Sequence, residues 1–107
     1  MFLQVVAVTK VTLEDAKNFR SFKIVVALPH ADEATVRGAL SGIATLPDKT
    51  AAWVFERALR QWPEHADDTE WQASLTAMIE KAKPYGWIDE ANRSIRAHVE
   101  WPALPRA

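Results

Sequence analysis

The sequence predicts an α+β fold of order ββαααβ, and three observations predict it. β-Branched residues cluster near the N-terminus, at Val5-Val6-Ala7-Val8 and Ile24-Val25-Val26. Three stretches with apolar residues at helical spacing follow, each opened by an aspartate. The tryptophans Trp53, Trp62, Trp71, Trp87 and Trp101 all lie in the second half, where so much aromatic surface serves either a core or a partner.

Residues 2–13 alternate, with Leu3, Val5, Ala7, Val11 and Leu13 on one face and Gln4, Lys10 and Thr12 on the other. Residues 20–28 alternate again, with Phe22, Ile24, Val26 and Leu28 against Lys23, Val25 and Ala27. The polar run Glu14-Asp15-Ala16-Lys17-Asn18 between them reads as a turn, so the pair reads as an N-terminal antiparallel β-hairpin. The alternative is a short helix over 12–19, because Thr12 and Asp15 have capping spacing. A parallel arrangement would then need a very short crossover, which disfavours it.

Pro29 ends the second strand, and Asp32 offers a helix cap. Val36, Leu40, Ile43 and Ala44 then predict a first helix over about 33–44. A second is predicted over 49–62, with Asp48 as its cap, Pro63 as its stop and a stripe of Ala51, Phe55, Ala58, Leu59 and Trp62. The third is predicted over 68–82, where Asp67 and Glu70 have capping-box spacing and Trp71, Leu75, Met78, Ile79 and Ala82 form the stripe. Lys81 and Lys83 suit the negative end of its dipole, and Pro84-Tyr85-Gly86 closes it. In the last segment Ile95, Ala97, Val99 and Trp101 alternate with Arg96, His98 and Glu100, which predicts a C-terminal strand over 94–101 that joins the hairpin. A helix through Ile88, Ala91, Ile95 and Val99 is the competing pattern. Residues 1–102 read as a single domain and 103–107 as a frayed tail.

A chain of 107 residues without cysteine excludes disulfide scaffolds, thiol catalysis and cysteine-bearing zinc sites, and fits a reducing, cytoplasmic setting. No stretch reaches the ~20 apolar residues of a membrane helix, and the N-terminus lacks the basic start of a signal peptide. The net charge of −1 is distributed as +2 over residues 1–28, −5 over 29–80 and +2 over 81–107. An acidic helical middle argues against nucleic acid as a partner.

Each histidine precedes a carboxylate by two positions: His30 and Asp32, His65 and Asp67, His98 and Glu100. A carboxylate can orient an imidazole for base catalysis or metal binding. Two of these aspartates already serve as helix caps, and no HExxH, phosphate loop or nucleophile elbow is present, so no catalytic residue, metal or cofactor is assigned. Ala34, Gly38 and Gly42 line the back of the first helix, where two costly glycines suggest close approach of Ala73 and Ala77. The segment His30-Ala31-Asp32-Glu33 is echoed at His65-Ala66-Asp67-Asp68, and Lys49-x-x-x-Trp53-Val54-x-Glu56 at Lys83-x-x-x-Trp87-Ile88-x-Glu90.

On a helix over 49–62, Trp62 falls on the buried stripe with Phe55 and Leu59, whereas Trp53 falls outside beside Arg57 and Arg60. Trp and Arg dominate binding hot spots, so Trp53, Arg57 and Arg60 are the candidate partner-binding residues. The expectation is a small non-catalytic interaction or accessory domain that binds a protein partner or itself as a homo-oligomer. A winged-helix-like nucleic-acid-binding domain is the alternative. An enzyme or ligand-binding protein using the His/carboxylate pairs stands third.

Overall fold

The computed structural model describes residues 1–28 and 32–102. Its centre is one mixed sheet built from β1 (Phe2–Ala7), β2 (Lys10–Glu14), β3 (Lys23–Val26), β4 (Ala44–Thr45), β5 (Ala51–Phe55), β6 (Ile88–Asp89) and β7 (Ser94–Glu100). The strand order is β2-β1-β3-β7-β5-β4, with β6 also paired to β7. Helices α1 (Glu33–Ala39), α2 (Glu56–Arg60) and α3 (Thr69–Ala82) complete the described elements, with a 3-10 turn at Lys83–Tyr85. The α+β class therefore stands, but among the described residues seven strands replace the three expected.

The N-terminal hairpin turns earlier than its sequence suggests. Strands β1 and β2 are antiparallel, with Leu3 opposite Leu13 and Val5 opposite Val11, and they turn at Val8-Thr9. This turn joins two odd-numbered apolar sets, so the alternation through 2–13 looks the same folded or straight. Strand β3 then pairs with β1 in parallel, with Leu3 opposite Ile24. The parallel pairing that chain length seemed to forbid is possible because β2 carries the chain back to the start of β1. The loop 15–22 only has to round that end. It does so against the N-terminus, whose ammonium donates to Asn18 O at 2.7 Å and to Ser21 O at 3.2 Å.

The predicted helix over 49–62 is the largest correction. Asp48 does cap, but its Oδ1 accepts from Thr50 N at 2.7 Å, Thr50 Oγ1 at 2.7 Å and Ala51 N at 3.1 Å, which closes a turn into β5. Residues 51–55 pair antiparallel with β7, and helix forms only at α2. Ala52 and Val54 alternate inward there, so strand pairing overrides a stripe that also fits a helix. The first helix is shortened for a related reason. It ends at Ala39, and Gly42, at φ +80°, turns the chain into β4. That positive φ explains this glycine. A Cβ on Gly38 would meet nothing within 4 Å, so the expected packing of Ala73 and Ala77 against the glycines is absent.

Other elements match their patterns. Asp32 accepts from Thr35 N at 2.7 Å to cap α1. Helix α3 is capped one residue later than expected, by Asp68 accepting from Trp71 N at 3.1 Å. Gly86, at φ +74°, closes the turn after α3. The C-terminal strand forms as β7 and joins the N-terminal strands through β3. Register places Leu3, Ile24, Val26, Val54, Ala97 and Val99 on one sheet face, where they form the core with Val36, Leu40, Leu59, Trp71, Leu75 and Ile79 of the helices. The other face carries polar and half-buried groups, among them Gln4, Lys23, Trp53, Arg96 and His98.

Candidate ligand-binding groove

Strand β7 is longer than any one neighbour on its β3 side. Strand β3 pairs with its C-terminal end, from Lys23 opposite His98, and β6 pairs with its N-terminal end, from Ile88 opposite Ile95. Arg96 N donates to Trp87 O at 2.8 Å, which marks the last contact on the β6 side. The sheet edge therefore opens between Phe22 and Trp87. A groove of about 650 Å³ occupies this break. It is lined by Ile95 from the helix-covered face of β7 and by Arg96 and His98 from the open face, as a break through the sheet requires.

Three parts of the chain supply its walls. The loop 15–22 contributes Phe19 and Phe22, the end of α3 contributes Met78 and Ala82, and the following turn contributes Tyr85 and Trp87. The loop is held by Trp71, whose Nε1 donates to Ala16 O at 2.8 Å and whose ring lies 5.9 Å from that of Phe19. Tyr85 and Trp87 stack on each other with centroids 4.7 Å apart and planes at 21°. They are exposed at 69% and 46%, so ring surface remains open to a ligand.

The groove is also cationic. Arg20, Lys81 and Arg96 line it from a loop, a helix and a strand, and no Asp or Glu does so among the described residues. None of the three takes part in an ion pair among the described residues. Asp48 is held below the usual carboxylate range chiefly by its hydrogen bonds from Thr50 and then Ala51, and Arg96 adds the smallest contribution. A second hollow of about 280 Å³ beside α2 differs, because Glu56, Arg60, Glu80 and Lys83 on its walls are already paired with one another.

Arg96 has a further distinction. Trp53 of β5 stands directly opposite it, and the register of β6 puts Trp87 opposite it on the other side. Val54 and Ile88 likewise both stand opposite Ile95. The echoed Trp53-Val54 and Trp87-Ile88 pairs thus flank one strand. That echo, which the sequence offered only as a possible duplication, is a signal that could have drawn attention to Trp87 and Arg96.

The expected partner-binding residues are dispersed. Trp53 lies on β5, half-buried, and faces Arg96, not Arg57. Arg57 is exposed on α2. Arg60 is committed to Glu56 at 2.8 Å, to Gln72 Oε1 at 3.0 Å and to Thr76 Oγ1 at 2.8 Å, which ties α2 to α3. No single helix face unites the three. Trp71 is core at 4% exposure, and Trp62 packs partly buried against that core.

No ion pair joins His65 to Asp67 or His98 to Glu100 among the described residues. His65 stacks on Trp71 at 4.7 Å, and Glu100 pairs with Lys23 at 3.0 Å, which leaves His98 to the groove. His30 lies outside the described residues. Among the described residues no three His, Cys, Asp or Glu side chains group as metal ligands. Among the described residues no helix is long and apolar enough to cross a membrane. No protein-family model, curated protein or solved structure matches the chain.

Proposed function

We propose that this chain is a small binding domain that receives the anionic part of its ligand in the groove at the β3–β6 break. One observation carries the reading: three cations that make no ion pair among the described residues line one groove with aromatic rings, and no carboxylate among the described residues shares the lining. Unpaired cations around a concave apolar surface favour an anion over a neutral or cationic ligand. The test is amide chemical-shift mapping with paired small fragments, benzoate against benzylamine. Benzoate is expected to shift amides of residues 19–22, 78–87 and 95–98, and benzylamine to leave them in place. Equal responses to both, or shifts confined to another surface, refute the reading.

The protein-partner expectation survives as a second reading with a different anchor. The exposed Tyr85 and Trp87 rings favour it, in place of a Trp53, Arg57 and Arg60 face. Its test is light scattering across a concentration series, together with pull-down by wild type and Trp87→Ala. A strict monomer whose captured proteins are unchanged by that substitution refutes it. The winged-helix alternative draws on a hairpin across 85–101; β6 and β7 do pair antiparallel there, but β7 also pairs with β3 and β5 inside the main sheet, and a salt-dependent shift on duplex DNA is its test.

A further inference from the structure

We infer that the ligand of the groove is an amphipathic anion, a flat aromatic body with a single acidic head group, held with its ring against Trp87 and Tyr85 and its head at Arg96. This rests on the binding-domain reading and narrows it. A groove of about 650 Å³ matches the size of sites for small molecules. Tyr85 and Trp87 already form a stack 4.7 Å apart and remain exposed at 69% and 46%, which leaves ring surface for a third ring. Arg96 stands between the Trp53 and Trp87 register positions, and its planar guanidinium offers paired donors to a carboxylate or sulfonate.

One other anionic class fits less well, and a second is put to the experiment. An extended acidic peptide needs a free sheet edge for its backbone, and β3 and Trp87 leave no run of β7 long enough for a strand. A nucleotide also brings a ring for the stack and a charge for the cations, and Ser21, Thr50, Tyr85, Trp87 and His98 are polar partners on the lining for its base and sugar among the described residues, so adenosine monophosphate is one arm of the test.

The experiment compares two dyes with the full chain: 8-anilinonaphthalene-1-sulfonate, and N-phenyl-1-naphthylamine, which has the same rings without the sulfonate. Wild type, Arg96→Gln and Trp87→Ala are titrated after circular dichroism has established the fold of each. The sulfonate dye is expected to saturate one site and to bind at least about tenfold tighter than the neutral dye. Arg96→Gln removes that advantage and leaves the neutral dye unchanged, and Trp87→Ala weakens both. Raising the salt concentration weakens only the sulfonate dye in wild type, a readout that needs no variant to fold. Equal affinity for the two dyes, a sulfonate affinity indifferent to Arg96→Gln, or tighter binding of adenosine monophosphate than of the sulfonate dye overturns the inference. If benzoate still maps to the groove in that case, the binding-domain reading stands alone. If neither dye saturates and benzoate shifts no groove amide, both fall.

Discussion

Replacing Trp71 tests the core and the groove wall together. Its side chain is 4% exposed, stacks on His65 at 4.7 Å, approaches Phe19 and donates to Ala16 O at 2.8 Å. Truncation to alanine removes a large buried aromatic from the core, a change that costs about 3–5 kcal/mol. The loss is severe, since a domain of this size holds roughly 5–15 kcal/mol in total. Trp71→Phe separates the contributions. It keeps most of the ring burial but removes the part-buried hydrogen bond to the Ala16 carbonyl, which costs about 0.5–1.5 kcal/mol together with a smaller volume term. Urea denaturation with linear extrapolation reads both variants, and unchanged slopes keep the comparison two-state. Because Trp71 also holds the loop 15–22, Trp71→Phe is expected to broaden the amide resonances of 16–22. A cost below about 1 kcal/mol for Trp71→Ala refutes the packing described for α3. An unperturbed loop in Trp71→Phe refutes its role as the tether.

Three further perturbations follow from the same geometry. Gly38→Ala is expected to stabilise by about 0.5–1 kcal/mol, since a Cβ there meets nothing and helix propensity improves, while Gly86→Ala, at φ +74°, costs about 1–2 kcal/mol; thermal melts giving the opposite order refute both assignments. Arg60→Met is expected to cost about 1–2 kcal/mol, most of it lost from the Gln72 and Thr76 contacts, and a double-mutant cycle with Gln72→Ala that shows no coupling refutes the α2–α3 tie. The carboxyl of Asp32 is lowered chiefly by its hydrogen bond from the Thr35 backbone, and that of Asp48 chiefly by Thr50. The folded state therefore holds fewer protons than the unfolded chain in this range. The stability these groups confer is complete above the usual carboxylate range and is lost as pH falls through the lowered values. Asp32→Asn and Asp48→Asn are expected to flatten the acid limb of a melting-midpoint profile, and an unchanged limb counts against that linkage.

Residues 69–82 were legible because a long 3.6-residue stripe, an aspartate cap and a closing Pro84-Tyr85-Gly86 agree over many turns. Strand β7 was legible because Ile95, Ala97 and Val99 alternate and are β-branched or small. Residues 51–55 were not, because Ala51, Phe55 and Leu59 satisfy a helical period while Ala52 and Val54 satisfy a strand period. The arbiter is pairing with β7, which lies far along the chain and leaves no local mark. The groove was hidden for the same reason: Phe22, Lys81, Trp87 and Arg96 meet only once β3 and β6 have taken opposite ends of one strand. Misreading β5 as helix also produced the grouping of Trp53 with Arg57 and Arg60.

Strand β7 has a consequence for how the molecule comes to exist. The blocks β2-β1-β3 and β5-β4 join in the sheet only through residues 94–100. During synthesis both blocks emerge first, each with a bare hydrogen-bonding rim and nothing to bridge them. Folding must therefore wait for a late-arriving keystone, which slows it and exposes the nascent chain to edge-to-edge association until that strand slots in.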